Sequence, residues 1–189
     1  MMNKILIFIC LWITGVSNLT AREYYFMARE DHFYENPANW FPAYPGAHIP
    51  AEDKVIIYAD AYFQGYDLEV DGICEVALGI VVRSADGTIV IRESGLVDNS
   101  GELFVSRIEN FGRLYNRISA MIHIYDYMAY PGSFTCNFFS ASFLALTSLV
   151  NEGHFDNYNW NTSPRLTLYA TPAPVPPAPI RRSRSSVKQ

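Results

Sequence analysis

Asn110-Phe-Gly-Arg-Leu-Tyr-Asn116 and Asn151-Glu-Gly-His-Phe-Asp-Asn157 are two copies of one pattern, Asn-x-Gly-x-(large apolar)-x-Asn. Its shorter core, a glycine followed at alternate positions by an apolar residue and then Asn, Val, Ile or Cys, recurs elsewhere. The further copies are Gly72-Ile-Cys-Glu-Val76, Gly87-Thr-Ile-Val-Ile91, Gly101-Glu-Leu-Phe-Val105 and Gly132-Ser-Phe-Thr-Cys136. Successive glycines stand 15, 14, 11, 20 and 21 residues apart, close to one rung of a stacked β-solenoid.

In a strand every second side chain points the same way. Asn110, Gly112, Leu114 and Asn116 therefore share one side, and Phe111, Arg113 and Tyr115 the other. The same parity groups Gly101 with Leu103 and Val105, and Gly132 with Phe134 and Cys136. The side holding glycine and a large apolar residue is the expected interior. Asparagine is costly inside unless its amide is satisfied. Stacked asparagines on neighbouring rungs meet that need by forming ladders at the corners.

Around these repeats, short β-branched or aromatic runs from Val55 to Tyr169 alternate with Asp-Gly, Ser-Gly and Pro-Gly turns. Residues 22–53 are aromatic and rich in Pro turns, which exclude long helices. Residues 1–21 read as a secretory signal, with Lys4 ahead of an apolar Ile5–Gly15 core and Leu19-Thr-Ala21 as the exit. That core is too short to span a bilayer. Residues 22–170 are expected to form one β-solenoid domain, and residues 171–189 a disordered Pro/Arg-rich tail. The expected fold is all-β, a short right-handed parallel β-helix, with an antiparallel β-sandwich or jelly roll as the alternative.

The order Trp40-x-Pro42, Pro45-Gly46, Ile49-Pro50 and Asp53-x-Val55-x-Ile57, followed by Gly-x-Leu and Asn-x-Gly rungs, resembles the opening of bacterial secreted parallel β-helix proteins. Similar stretches occur in adhesin-like surface repeat proteins. The resemblance covers roughly residues 36–157 and implies an extracellular, cell-surface or periplasmic setting. It carries over no functional residue.

The chain holds 19 acidic residues, all between 22 and 170, where nine Lys or Arg leave that body at −10. An acidic body argues against a nucleic-acid partner, because phosphates need a basic footprint. Cys74 and Cys136 follow the signal segment, and four rungs separate them on the glycine count, roughly 19 Å. That exceeds the reach of a disulfide, so both are expected to be buried free thiols. Asp67-Leu-Glu69-Val-Asp71-Gly72 resembles half of a calcium loop but has Leu78 where the closing glutamate belongs. A strand with Leu68 and Val70 inward explains it as well. His32, His48, His123 and His154 lack zinc-type spacing, and Glu30-Asp31-His32 reads as a solvated turn.

No nucleophile elbow, phosphate loop or dinucleotide fingerprint is present. No catalytic, cofactor-binding or metal residue is assigned, and no cofactor is expected. Phe111, Tyr115 and the Tyr158-Asn-Trp160 stretch are candidate exposed aromatics. Trp40 and Trp160 flank the repeats where a solenoid needs covered ends. The expected role is a secreted, non-enzymatic structural or interaction module of adhesin-like kind, with protein or glycan partners at a cell surface and no membrane span. The alternative is a carbohydrate-binding or lyase-like glycan-active domain.

Overall fold

The computed structural model describes residues 21–65 and 67–158, and the backbone of 166–168. The expected signal segment before Ala21, Trp160 and the tail 171–189 lie outside the described residues. Strand β1 (Glu23–Phe26) opens the molecule, β2 (Trp40–Phe41) folds back along it, and β3 (His48–Ile49) completes a first, irregular coil. Then come β4 (Lys54–Ile57), β5 (Ala61–Phe63) and β6 (Leu68–Val70), followed by β7 (Ile73–Val76), β8 (Val81–Ser84) and β9 (Thr88–Ile91). After β10 (Leu96–Asn99), two short strands merge into one long bent strand, β11 (Glu102–Asn110). The two-strand rhythm continues through β12 (Arg113–Asn116), β13 (Met121–Ala129), β14 (Phe134–Asn137), β15 (Ser142–Asn151), β16 (His154–Asn157) and β17 (Leu166–Leu168).

These strands stack into three walls. Wall one holds β1, β4, β7, β10, β12, β14 and β16. Wall two holds β5, β8, the first halves of β11, β13 and β15, and β17. Wall three holds β3, β6, β9 and the second halves of the long strands. Every strand pair is parallel except β1 with β2, so the fold is a β-solenoid of about five turns and the antiparallel sandwich is excluded.

Lys54, Ile73, Leu96, Arg113, Phe134 and His154 share one column. Successive coils therefore take 19, 23, 17, 21 and 20 residues. The shorter glycine steps expected from sequence mix walls: Gly87 opens wall three and Gly101 wall two, whereas Gly72, Gly112 and Gly153 precede wall one. The copy that completes the wall-one column is Gly95-Leu-Val-Asp-Asn99. Glycine is required there by close approach: a Cβ on Gly112 would sit 2.1 Å from the Arg92 carbonyl oxygen.

The Gly132 copy is out of frame. Gly132 is a turn residue at φ +87, and Ser133 takes the column position, its carbonyl accepting from His154 N–H (2.9 Å) as that of Gly112 accepts from Phe134 N–H (2.8 Å). Serine is small enough to fit, and its Oγ donates to the Tyr130 carbonyl (2.7 Å). Phe134 and Cys136 therefore lie on the outward parity, opposite to the expectation, while Thr135 and Asn137 face the interior. The interior columns are otherwise as the alternation requires: Leu103, Leu114, Ile122 and Phe143 are buried, and Phe155 packs half-buried against Phe143. Each such side chain contributes roughly 1.5–3 kcal/mol on burial.

At the corner between walls one and two, Ile57 and Val76 give way to Asn99, Asn116, Asn137 and Asn157 in register. Asn99 Nδ2 donates to Asn116 Oδ1 (2.9 Å), Asn116 Nδ2 to Asn137 Oδ1 (2.7 Å), and Asn137 Nδ2 to Asn157 Oδ1 (3.3 Å). Each amide also donates to a corner carbonyl, as Asn116 does to Ser142 (2.9 Å). A buried amide thus satisfies itself through the next coil. The ladder anticipated from Asn116 and Asn157 is present and two members longer.

The opposite end is closed by aromatics. Tyr34 stacks on Phe63 (4.3 Å between ring centroids) and meets Trp40 edge-on (4.6 Å), while Trp40 also contacts Phe26 (5.2 Å). Trp40 Nε1 donates to the Tyr34 carbonyl (2.6 Å). Buried Asn39 ties the preceding loop, its Oδ1 accepting from Glu30 N–H (2.9 Å) and its Nδ2 donating to Asp31 Oδ1 (2.6 Å). The Trp40 region thus covers the first coil, as expected.

Both cysteines are free and buried. Three coils separate them, not four, because Cys74 sits in the column of Val97, Leu114 and Thr135. At about 4.8 Å per coil this is still roughly 14 Å, too far to bridge. Burial pushes the Cys74 thiol up to about 12 and also raises that of Cys136, so both stay protonated at neutral pH.

Candidate binding wall

The three outer walls carry different chemistry. On wall one, Lys54 pairs with Glu75 (2.8 Å), Arg117 with Asp98, and His154 with Asp156 (2.9 Å). On wall three, Arg92 pairs with Glu69, His48 with Asp71 (2.7 Å), and Arg107 with Glu109 (2.8 Å). Such exposed pairs contribute little to stability and leave neighbouring charges neutralised. Wall two has a different register column, Tyr62, Arg83, Phe104, His123 and Leu144, one residue from each successive coil.

The Arg83 guanidinium lies 5.0 Å above the Phe104 ring, and the His123 ring meets Phe104 edge-on at 4.8 Å. Arg83 makes no ion pair among the described residues. Beside this column the long strands bend. In β13, Ile124 and Tyr127 both point inward, and the pairing with β15 slips between Ile124 and Asp126. The extra residue lies in β15, opposite Tyr125, which follows inward Ile124 and is 56% exposed, with Leu146 at 37%. Column and bend enclose a groove of about 590 Å³.

The groove lining contains no carboxylate. Glu35 lies behind its rim, where Oε1 accepts from Gln64 N–H (2.5 Å). Asp60 and Glu102 stand at the margin next to wall one, and Asp60 accepts from Val81 N–H (2.9 Å). At the opening of the groove, His32 meets Tyr62 edge-on at 5.8 Å.

The residues singled out from sequence are dispersed over the other walls. Leu68 and Val70 face inward on β6, and its acids are engaged: Asp67 accepts from Thr88 N–H (2.8 Å), Glu69 binds Arg92, and Asp71 binds His48. Strand geometry accounts for their spacing. No group of three or more His, Cys, Asp or Glu placed to hold a metal occurs among the described residues. His48 and His154 each lie within hydrogen-bond distance of an aspartate, Asp71 on wall three and Asp156 on wall one. The cluster Glu30-Asp31-His32 lies in a solvated loop, as expected, in which the Asn36 amide, then Phe33 N–H and Asn39, hold the Asp31 carboxyl below its ordinary range.

Of the candidate aromatics, Phe111 stacks on Tyr130 (3.9 Å) at the corner of walls three and one. Tyr115 packs beside Arg117, whose guanidinium lies between the Tyr115 and Phe138 rings (5.0 and 5.1 Å) and binds Asp98. That second aromatic patch lines a hollow of about 340 Å³, with Tyr158 46% exposed on its rim. Its cation is already neutralised. Reasoning from sequence missed Arg83, Phe104 and Tyr125, and noted His123 only as lacking zinc-type spacing. The alternating parity of β11 and β13 marks them as outward, but their alignment requires the true coil boundaries.

No helix among the described residues is long and apolar enough to cross a membrane. Neither a family model, nor a curated protein, nor a solved structure matches this chain.

Proposed function

We propose that this chain is a secreted, non-enzymatic interaction module of adhesin-like character that presents wall two to a partner at a cell surface. One observation carries the reading: the outward column Tyr62, Arg83, Phe104, His123, with Tyr125 and Leu146 beside it, forms an aromatic groove whose lining holds a cation and no carboxylate. Apolar surface left uncovered beside a few directed polar groups is what recognition sites present. The groove is built on hydrogen-bonded strands across several coils, so its side chains are held before any partner arrives and little ordering cost remains at binding.

The test is saturable binding of labelled protein to an array carrying both glycans and extracellular-matrix proteins. Wild type should bind at least one class, and the double variant Tyr62→Ser/Tyr125→Ser should bind at least tenfold more weakly, a loss of about 1.4 kcal/mol or more. Absence of saturable binding, or equal binding by the variant, overturns the reading. Shortening of a bound glycan during incubation would overturn its non-enzymatic part.

A further inference from the structure

Away from the groove, exposed apolar side chains gather on the outer edge where walls one and two meet, outside the asparagine ladder. The turns Ala77–Ile80, Arg117–Ala120 and Phe138–Ala141 follow Val76, Asn116 and Asn137, which share one column on their respective coils. In each turn the fourth N–H donates to the first carbonyl, at 3.3, 3.0 and 3.0 Å. The third residues, Gly79, Ser119 and Ser140, have φ of +76, +63 and +59, which makes these type II turns. The second residue stands at the tip: Leu78, Ile118 and Phe139, exposed by 77%, 60% and 42%. Turn geometry favours glycine in third place, and Ala120 and Ala141 in fourth place are buried. Neither requirement explains a large apolar side chain at the tip. One exposed apolar residue needs no explanation, but three in one column do.

We infer that this edge rests on a lipid surface, the headgroup boundary of a zwitterionic bilayer, with the solenoid lying lengthwise on it and not spanning it. Because the tips share a column, Leu78, Ile118 and Phe139 fall on a line parallel to the axis. At about 4.8 Å per coil that line is roughly 14 Å long, and all three tips reach one plane together. Exposed Tyr58 and Tyr158 continue it by one coil at either end, and tyrosine suits the depth of the headgroups.

The charges decide which surface fits. Arg117 is the one charged residue in the three turns, and Asp98 pairs with it. Anionic headgroups would repel a body that carries −10, whereas a zwitterionic surface would not. A second copy is a poorer occupant. A stable interface takes about 20–30 residues a side, and this edge offers a single row of tips on a body that repels its own kind. Fluid lipid closes around separate protruding side chains without needing a matching shape.

NMR of the full chain with phosphatidylcholine bicelles carrying a nitroxide-labelled lipid tests this. Paramagnetic broadening is local, so the methyl signals of Leu78 and Ile118 should broaden at least tenfold more than those of exposed Val150 on wall three. Replacing half of the phosphatidylcholine by phosphatidylglycerol should weaken the effect, and added salt should restore it. Leu78→Ser should cut the broadening at Ile118 at least threefold with the melting temperature unchanged, since that side chain is exposed. Tyr62→Ser/Tyr125→Ser on wall two should leave the broadening as it is, which keeps this test separate from that of the binding wall. Equal broadening at Val150, stronger broadening with phosphatidylglycerol at low salt, or indifference to Leu78→Ser overturns the inference. Broadening of the tip signals by raised protein concentration without lipid would make the edge an interface between copies, and the lipid assignment would fall.

Discussion

The column at the corner of walls one and two is built in two ways along its length. In the first regular coils it is Ile57 and Val76, under an aromatic lid made by Tyr34, Trp40 and Phe63. From the third coil onward it is Asn99, Asn116, Asn137 and Asn157, each amide bonded to the next. The same backbone site thus accepts either aliphatic packing or a polar ladder. What decides between them is continuity: an aliphatic residue needs only close neighbours, whereas an asparagine in this column needs a polar partner aligned one coil away, which here is the next asparagine. The apolar end is sealed by shape, and the polar end is held in register by hydrogen bonds.

The largest effect is expected from opening the sealed end. Trp40→Ala removes the centre of the lid and the donor to the Tyr34 carbonyl, and should lower the unfolding free energy in urea by about 4 kcal/mol. A loss under 1 kcal/mol would show that the lid is decoration. At the polar end, Asn116→Leu strands the Oδ1 of Asn137 and leaves Asn99 Nδ2 only the Gly101 and Met121 carbonyls, for an expected loss of about 2 kcal/mol. A neutral outcome would mean that aliphatic packing serves as well throughout.

A graft across the boundary sharpens the comparison. In Val76→Asn the new amide lies directly below Asn99 and extends the ladder by one member, so the cost should be about 1 kcal/mol. Val55→Asn, buried among apolar side chains with Cys74 on the next coil, should cost about 3 kcal/mol. Equal costs would remove the role claimed for continuity.

The smallest effect concerns acid. Asp31 in the N-terminal loop has its carboxyl held below the ordinary aspartate value by Asn36, Phe33 and Asn39. Its contribution is present above the unfolded pKa of about 3.9 and is lost as pH falls through the lower folded value. Melting temperature should therefore decline below about pH 4, and Asp31→Asn should flatten that limb without altering the neutral-pH plateau by the same amount.

The division between the two ends also explains what could be read beforehand. Alternation around Gly112 identified the interior and the asparagine ladder, because period two and a buried amide both leave local marks. The lid was legible as a cluster of aromatics and prolines around Trp40. The coil length was not, because glycines of all three walls look alike in sequence while only Gly72, Gly95, Gly112 and Gly153 hold the wall-one column. Ser133 standing in for glycine shifted the fifth coil by one residue, which reversed the parity of Phe134 and Cys136. The groove was hidden for the same reason: Tyr62, Arg83, Phe104 and His123 become neighbours only once 21, 21 and 19 residues are counted as single coils.

Side-chain amide hydrogen exchange, followed by NMR, addresses the stacked-ladder account most directly. The Nδ2 protons of Asn99, Asn116 and Asn137 should exchange far more slowly than those of Asn36 in the N-terminal loop, and those of Asn99 should become faster in Asn116→Leu. Exchange of the three at the free-amide rate in the folded protein would contradict the ladder and the coil register that builds it.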